Sequence, residues 1–375
     1  MYKKILIIIR RSLGDVLATS PMVNILHKEF PGCAIDLLVN EDTIGMAYSI
    51  RHINQAYSYS YAWREKGWWE CIKNEFSLIR SIVGKYDLAI SLTGNERSTI
   101  YAILAGKTSI AATDKKLEKS WWRRTFLTHT YLFDANKHIV LSNLASIAPL
   151  GIKVDGIELS ACYYNSVRQS VKKMLDDKGI GNFLIFHPSA RFKYKIYPRH
   201  LRDKLLGYLS NLGISIVITG GKSDLDREIS SNLPTYPNVH NFINKTTLGE
   251  AIALTDLSMG YVGMDTFNMH IAAALNKKAV AIFGPTLPQM WSPWSNSLQT
   301  YANETKPIQR YGNITLLQAD MPCVACGLAG CDDKACLSEC LYEISPETIL
   351  AEVKRLLILN DSLLPAAAPG KWEFS

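Results

Sequence analysis

The chain has 375 residues, about two to three times the length of a usual domain, so we expect two domains with one core each. Apolar residues make up 47% and charged residues 20% of the chain, which excludes a disordered or fibrous protein. Lysine and arginine (41) exceed aspartate and glutamate (34), which gives a net charge of +7. This mild excess suits phosphates or an anionic membrane face, and without a dense basic stripe we expect no nucleic-acid partner.

The first apolar segment predicts a buried strand. Residues 5 to 9 are all leucine or isoleucine, and Arg10 and Arg11 end the run. A secretory signal needs about 7 to 15 apolar residues and a membrane helix about 20, so the segment predicts neither. We therefore expect a cytoplasmic protein whose eight cysteines are reduced unless they bind a ligand.

Short apolar strands alternate with helical stretches along most of the chain. In the first half we predict strands at Ile5–Arg10, Ala34–Val39, Asp87–Leu92 and Ser109–Ala112, and helices at Val16–Phe30, Trp69–Val83, Arg97–Leu104 and Ala135–Leu150. In the second half we predict strands at Phe183–His187, Ile214–Thr219, Val239–Phe242, Leu257–Val262 and Ala279–Phe283, and helices at Pro198–Leu212, Asp224–Leu233, Leu248–Leu254 and Thr266–Leu275. This alternation predicts two doubly wound α/β domains with parallel sheets, in two lobes that face a cleft.

The domains are placed by the change in composition near Asp155–Lys178. We expect an N-terminal domain at residues 1–165 and a C-terminal domain at 166–345, followed by a helix at 346–359 and a flexible tail at 360–375. Ligands of open α/β sheets bind beyond the carboxyl ends of the strands. The loops that follow the strands are therefore the candidate sites.

The first such loop, Ser12-Leu13-Gly14-Asp15, lies between the first strand and the first helix. Asp15 could cap that helix by accepting hydrogen bonds from its free N–H groups. Alternatively, it is a carboxylate that takes a proton from an incoming hydroxyl. Gly14 stands alone and does not complete a Gly-x-Gly-x-x-Gly fingerprint, which disfavours an NAD enzyme.

A second loop carries three basic residues, Arg191, Lys193 and Lys195, after the strand that ends at His187. Its cations could be fully solvated. The alternative is an anion site in which the cationic side chains meet phosphate oxygens.

A third loop follows the glycine-containing segment that starts at Gly260. We expect Asp265 at the N-cap of the next helix, where the free amides of residues 266–268 are suited to a diphosphate. His270, in the second turn of that helix, is either a packed structural histidine or a ligand contact. Phe283-Gly284-Pro285-Thr286 predicts another flexible loop at the same edge of the sheet.

The motifs, taken together and in this order, resemble those of a known enzyme family. They are the segments Ser12–Pro21, Tyr86–Ser98, Lys195–Pro198, Asp265–Leu275, Phe283–Thr286 and Cys340–Glu347. The family is glycosyltransferase family 9, which comprises the bacterial heptosyltransferases of lipopolysaccharide core synthesis and their relatives.

The resemblance implies a GT-B fold and an inverting transfer from a nucleotide sugar, usually ADP-heptose, with no catalytic metal or other cofactor. Asp15 falls on the position of the general base and Lys195 on that of a donor phosphate ligand. The full set of expected donor-binding residues is Ser189, Lys195, Thr219, Gly220, Asp265, Thr266, Phe267, Asn268, His270 and Gly284. The expected acceptor-binding residues are Ser12, Gly14 and Arg97.

Three positions depart from the family pattern. Phe267 replaces the usual glycine, Ser91 the usual aspartate and Tyr197 the usual tryptophan. The acceptor hydroxyl could belong to a glycan, to lipopolysaccharide core or to a protein. Two other functions stay open, namely an inactive nucleotide-binding homologue and a GT-B sugar-nucleotide epimerase.

The segment 323–340 contains five cysteines. Cys323 and Cys326 form one close pair and Cys336 and Cys340 another, so four thiolates could hold a structural zinc or iron ion, with Cys331 as the alternate ligand. Reduced, unbound thiols and disulfides are the alternatives.

Two tryptophan pairs, Trp68-Trp69 and Trp121-Trp122, stand out from the rest of the sequence. Such pairs could be partly buried packing residues. The second pair precedes Arg123-Arg124, and a surface of this kind could contact a glycan acceptor or lipid headgroups. The second possibility predicts peripheral contact with the cytoplasmic face of the inner membrane.

Overall fold

The structure is a computed structural model that describes residues 2–65, 67–113, 120–331 and 336–358. The expected flexible tail at 360–375 lies outside these residues. The chain divides into two compact units, Met1–Ala161 and Cys162–Ser375. We call them the N-terminal unit and the C-terminal unit. Within the described residues, no helix combines the length and the apolar character needed to cross a membrane.

The N-terminal unit is a doubly wound sheet of six parallel strands in the order β3-β2-β1-β4-β5-β6. The strands are β1 (Lys4–Ile8), β2 (Ala34–Asn40), β3 (Ile53–Tyr59), β4 (Tyr86–Ser91), β5 (Gly106–Thr113) and β6 (His129–Leu132). The helices are α1 (Leu13–Leu17), α2 (Ser20–Glu29), α3 (Ile44–Ala47), α4 (Trp68–Ile82), α5 (Glu96–Ala105), α6 (Trp121–Phe126) and α7 (Ile139–Leu144). The strand order reverses between β1 and β4, so the loops after these two strands border the usual ligand crevice.

The prediction of one long helix at Val16–Phe30 was wrong. The chain forms α1 and α2 instead, because Pro21 at the start of α2 has no N–H to continue the hydrogen-bond ladder. At the break between the two helices, the hydroxyl of Thr19 donates a hydrogen bond to the carbonyl of Val16 at 2.7 Å. The predicted helix Ala135–Leu150 is likewise shorter, since α7 is followed by a 3₁₀ turn that contains Pro149.

The C-terminal unit is a sheet of seven strands in the order β12-β13-β11-β10-β7-β8-β9, in which only β12 runs antiparallel. The strands are β7 (Phe183–His187), β8 (Ser215–Ile218), β9 (Val239–Asn241), β10 (Tyr261–Met264), β11 (Ala279–Ile282), β12 (Ile308–Tyr311) and β13 (Ile314–Leu317). The helices are α8 (Asn165–Asp176), α9 (Arg199–Ser210), α10 (Asp224–Ser231), α11 (Leu248–Leu257), α12 (Phe267–Ala274), α13 (Pro288–Trp291) and α14 (Pro346–Ile358). The two doubly wound α/β units that the sequence predicts are confirmed.

In the C-terminal unit one predicted strand was wrong and one hairpin was missed. The predicted strand Leu257–Val262 starts too early, because α11 continues to Leu257 and β10 begins only at Tyr261. Leu257, Met259 and Tyr261 alternate with small residues, which is the pattern of a strand, but Leu257 is the last residue of α11 and residues 258–260 connect it to β10. The hairpin of β12 and β13 was not predicted; Gly312, with φ +56°, forms its turn.

The final helix, α14, is fixed to the sheet by an ion-pair network around Glu352. Its buried carboxylate accepts hydrogen bonds from Arg310 of β12 at 2.6 and 3.0 Å and from Arg355 at 2.8 Å. Arg355 also donates to the hydroxyl of Thr315 on β13 at 2.7 Å. The two arginines hold the pKa of Glu352 well below its usual range, at about 2, so the carboxylate stays charged at neutral pH.

Candidate active site

In the N-terminal unit, Asp15 is held within the first turn of α1. The N-cap residue is Ser12, so the interpretation of Asp15 as the cap was wrong. The hydroxyl of Ser12 donates to one oxygen of Asp15 at 2.5 Å, and Arg11 Nη1 lies 3.5 Å from the other. The side chain of Asp15 is 8% exposed. Gly14 lies in the same turn, so these residues orient one nearly buried carboxylate beyond the end of β1.

Arg97 lies at the neighbouring edge, in the first turn of α5 beyond β4. Its guanidinium contacts Glu75 at 3.2 Å and donates to the hydroxyl of Tyr59. The helix is capped by Asn95, whose side chain accepts from the amide of Ser98 at 2.8 Å. Asp15 and Arg97 therefore both follow strands at the point where the strand order of this sheet reverses. Ser91, by contrast, is fully buried at the end of β4.

In the C-terminal unit, Lys195 and Asp265 form an ion pair across the two strands that flank the reversal of strand order, β7 and β10. Lys195 Nζ lies 2.7 Å from Asp265 Oδ2, with side-chain exposures of 23% and 8%. The structure thus brings together the two residues that the sequence predicts to line the donor phosphate site. Tyr197, two residues after Lys195, is buried and donates to the carbonyl of Ile344.

The N-terminus of α12 differs by one residue from the prediction. Thr266 is the N-cap residue, so the prediction of Asp265 as N-cap was wrong. The side chain of Thr266 makes no capping hydrogen bond, and the helix begins at Phe267, which is half-buried. The first amides of any helix lack partners within the helix. His270 is also half-buried, in the second turn of α12.

His187, the last residue of β7, connects two of the predicted donor-binding residues. Its Nδ1 lies 2.9 Å from the hydroxyl of Thr219, and Asn268 Nδ2 lies 3.1 Å from its Nε2. A neutral ring protonated at Nδ1 satisfies both contacts, with His187 donating to Thr219 and accepting from Asn268. Burial lowers the pKa of His187 to about 4, so the ring is uncharged at neutral pH.

Asp226 accepts hydrogen bonds from the loop beyond β8 and from Ser189, which follows β7. Its carboxylate accepts from the hydroxyl of Ser189 at 2.6 Å, from the amide of Gly221 at 2.8 Å and from the amide of Ser223 at 2.9 Å. Burial raises the pKa of Asp226, but these hydrogen bonds outweigh burial and the pKa is lowered overall. A Cβ on Gly220 would lie 2.9 Å from this carboxylate, so a larger residue there would displace the carboxylate from its hydrogen bonds.

The roles of His187 and Asp226 were not predicted from the sequence. The signal for Asp226 was present, because Ser223 and Asp226 have the spacing of a capping box and form one at the start of α10. Gly284 follows β11 as predicted, and a Cβ there would lie 3.1 Å from the side chain of Leu341.

A sequence model of glycosyltransferase family 9 (heptosyltransferase) matches residues 75–316. The chain belongs to glycosyltransferase family 9. It is 30% identical over 292 residues to lipopolysaccharide heptosyltransferase 3 of Escherichia coli, which covers 76% of this chain and 84% of that protein. It is also 24% identical over 378 residues to lipooligosaccharide heptosyltransferase 2 of Haemophilus influenzae, which covers 94% of this chain and 99% of that protein.

Two solved structures show that this family 9 protein shares their fold. One is the family 9 glycosyltransferase of Veillonella parvula, with a TM-score of 0.76, 19% identity and coverage of 95% of this chain and 97% of that one. The other is the ADP-heptose lipopolysaccharide heptosyltransferase II of Escherichia coli, with a TM-score of 0.73, 19% identity and coverage of 96% and 100%. The predictions of the family, of the GT-B fold and of a glycosyltransferase are therefore confirmed.

The cysteine segment of this family 9 protein has one buried and four exposed thiols. Cys340 is buried, whereas Cys323, Cys326, Cys331 and Cys336 are exposed. Burial and the proximity of the Cys331, Cys326 and Cys323 thiols raise the pKa of Cys340 to about 12. Among the residues that the structure describes, no three His, Cys, Asp or Glu side chains are arranged so that they could hold a metal ion.

The stability of this protein will depend on pH through His187. The unfolded chain binds a proton on this residue below pH 6.5, whereas the folded chain binds it only near pH 4. The free energy of unfolding therefore falls by about 2 kcal/mol between pH 7 and pH 5 through this group. Urea unfolding at the two pH values will measure this decrease in the free energy of unfolding. In His187→Gln the decrease will be about 2 kcal/mol smaller than in the wild type. The exposed-site control His200→Gln will keep the wild-type decrease; equal decreases in all three proteins would contradict this assignment.

Proposed function

We propose that this glycosyltransferase moves a heptose from ADP-heptose, with inversion at the anomeric carbon, to a hydroxyl of lipopolysaccharide core. A glycan or a protein hydroxyl is the alternative acceptor. Family membership and the names of the relatives support the sugar and the acceptor. The observation that carries the proposal is the pair of Lys195 with Asp265 at the start of α12, where the strand order of the C-terminal unit reverses. That position is where doubly wound sheets bind nucleotides.

In the donor half of the reaction, the diphosphate would lie against Lys195 and the first amides of α12. The ammonium of Lys195 and these N–H groups are held in place before the reaction starts, so they can stabilise the negative charge that develops on the leaving ADP. Asp265 keeps Lys195 aligned. Eight further residues would surround the nucleotide, namely Ser189, Thr219, Gly220, Thr266, Phe267, Asn268, His270 and Gly284.

In the acceptor half, Asp15 would accept the proton of the acceptor hydroxyl. The hydroxyl oxygen forms a bond to the anomeric carbon while the bond from that carbon to the phosphate oxygen breaks, and the electron pair leaves with ADP. The hydroxyl of Ser12 and the guanidinium of Arg11 orient the Asp15 carboxylate. Gly14 and Arg97 complete the proposed acceptor side. The proposed reaction uses no catalytic metal.

Melting curves with ADP, UDP and GDP, without magnesium, test the donor. A ligand present at about 100 times its Kd stabilises the folded state by about 2.7 kcal/mol, so ADP alone should raise the melting temperature clearly. Asp15→Asn should keep that shift and lose transfer by about 10² to 10⁴-fold, because a general base contributes rate and not donor affinity. The matched control Asp42→Asn, at an exposed site in the same unit, should retain both.

Three results would contradict this reading. A shift with UDP or GDP in place of ADP would overturn the donor. Conversion of the donor sugar with no acceptor present would indicate an epimerase. A shift with ADP but no turnover of any acceptor by the wild-type protein would indicate a nucleotide-binding homologue without transferase activity.

We further propose that the cysteine segment binds a structural zinc or iron ion. The support is the spacing of the cysteines in two close pairs, Cys323 with Cys326 and Cys336 with Cys340, with Cys331 as the alternate ligand. Because no three of the described side chains are already arranged around one point, binding of the ion would have to bring the thiolates together. Thiolates are ligands that both ions prefer.

Elemental analysis of the purified full chain tests this site and should find about one zinc or iron ion per chain, as in other four-thiolate sites. Cys326→Ser and Cys340→Ser should lose the ion. Cys71→Ser, in the N-terminal unit, should keep it. A metal-free wild-type chain with all of its cysteines accessible to a thiol reagent after mild unfolding would contradict the proposal.

We propose that the exposed aromatic side chains of α4 and α6 attach the protein to the cytoplasmic face of the inner membrane. Trp68 and Trp69 are 63% and 69% exposed and stack on each other with ring centroids 3.9 Å apart. Phe76 is exposed on the same helix, and Trp121 is exposed on α6. Indole rings favour the interface between water and lipid, and exposed cations such as Arg124 add attraction to anionic lipids.

Sedimentation with vesicles of phosphatidylglycerol and phosphatidylethanolamine tests the membrane contact. The double variant with Trp68→Ser and Trp69→Ser should bind the vesicles several-fold more weakly than the wild type. Leu298→Ser, which removes an exposed apolar side chain from the C-terminal unit, should bind like the wild type. Equal binding by all three proteins would contradict the role of α4.

A further inference from the structure

Arg10 is a buried arginine for which the described part of the chain supplies no carboxylate partner. It follows β1 and is 6% exposed. Its Nε is buried and makes no hydrogen bond, and no ion pair among the described residues includes Arg10. Its main-chain amide is satisfied by the hydroxyl of Thr93 at 3.1 Å. The buried atom without a partner is therefore Nε of the guanidinium.

Aromatic rings surround this guanidinium. The Arg10 carbon Cζ lies 3.8 Å from the ring centroid of Tyr59, 5.6 Å from that of Tyr61 and 5.9 Å from that of Tyr101. Such stacking holds a planar cation in position, but its contribution is smaller than the cost of removing an unpaired guanidinium from water. The rings therefore position Arg10 without neutralising it.

A second arginine shares the same ring. Arg97 Cζ lies 5.2 Å from the centroid of Tyr59. The carboxylate nearby, Glu75, is already engaged, since it pairs with Arg97 at 3.2 Å and accepts from the hydroxyl of Tyr101 at 2.7 Å. The one carboxylate is thus taken up by Arg97, and the cluster of two guanidinium groups carries an excess positive charge that an anion would balance.

The cluster also lies where an acceptor would bind. Arg10 lies just beyond the end of β1, five residues before Asp15. Thr93 and Arg97 follow β4, which is the neighbour of β1 at the reversal of strand order. We propose that Arg10, with Arg97, binds a phosphate or carboxylate group of the acceptor while Asp15 takes the proton from the acceptor hydroxyl. This inference rests on the proposed function and adds the chemical class of the acceptor.

A binding experiment tests the anion site without turnover. The wild-type chain is melted with inorganic phosphate or with acetate at constant ionic strength, in the presence of saturating ADP so that the donor site is filled. The expected result is a saturable increase in melting temperature that Arg10→Met lacks. The control Arg80→Met, at an exposed position of α4, should keep the increase. No increase in the wild type, or the same increase in Arg10→Met, would overturn the proposal.

A kinetic experiment separates a binding role of Arg10 from a merely structural one. The probes are lipopolysaccharide core oligosaccharide in its native form, after removal of its phosphates with hydrofluoric acid, and after methyl esterification of its carboxylates. Arg10→Met should raise KM for the native acceptor by about 10 to 100-fold and leave kcat within a few-fold, because a hydrogen-bonded charged contact is lost. The probe whose KM does not respond to the variant identifies the anion, phosphate or carboxylate.

Arg10→Lys serves as the second variant, since it keeps the charge but not the planar donor pair, and its KM should lie between those of the wild type and Arg10→Met. An equal effect of Arg10→Met on all three probes would overturn the proposal, because it would indicate a purely structural role. Failure of the proposed function gives a different result: ADP would produce no shift, while the Arg10-dependent shift with phosphate or acetate would remain.

Discussion

The reversal of strand order in each sheet is the constraint on which the candidate residues of each unit depend. Where two neighbouring parallel strands send their connections to opposite faces, their carboxyl ends leave a gap that no helix covers. In the N-terminal unit this gap lies between β1 and β4, and in the C-terminal unit between β7 and β10. The second gap also requires Gly263, because a Cβ there would lie 2.4 Å from the carbonyl oxygen of His187.

The ion pair of Lys195 with Asp265 shows how the donor half combines binding with stability. Removal of one member of a buried pair leaves the other charge unpaired, and this typically costs about 3 to 5 kcal/mol. A variant of Lys195 alone would therefore lose both the proposed phosphate ligand and the partner of Asp265, and its activity would combine two effects. Binding of a diphosphate would add negative charge beside a carboxylate, so the free amides of α12 become part of the balance as well as Lys195.

The elements and residues that could be predicted from the sequence are those whose signal is local. The buried strands β1, β7 and β11 are continuous apolar runs, and Lys195 lies in the loop that follows β7. Asp265 follows β10, a strand that was predicted although its start was placed four residues too early. The edge strands β3 and β6 were missed because their sequences mix polar and apolar residues, and one side of an edge strand has no neighbour to bury it. The surroundings of Arg10 and the bond between Ser189 and Asp226 depend on residues 37 or more positions apart, which no local pattern contains. The roles of the site residues remain predictions.

The break between α1 and α2 separates two tasks that one long helix would have to share. Asp15 is presented by a helix of five residues, whereas Met22, Val23 and Leu26 of α2 are fully buried against the core. Substitutions that repack α2 can therefore change the stability of the N-terminal unit while the short helix keeps the carboxylate in place. Pro21 prevents the two helices from merging into one. The core residues of α2 can therefore change during evolution without moving the Asp15 carboxylate.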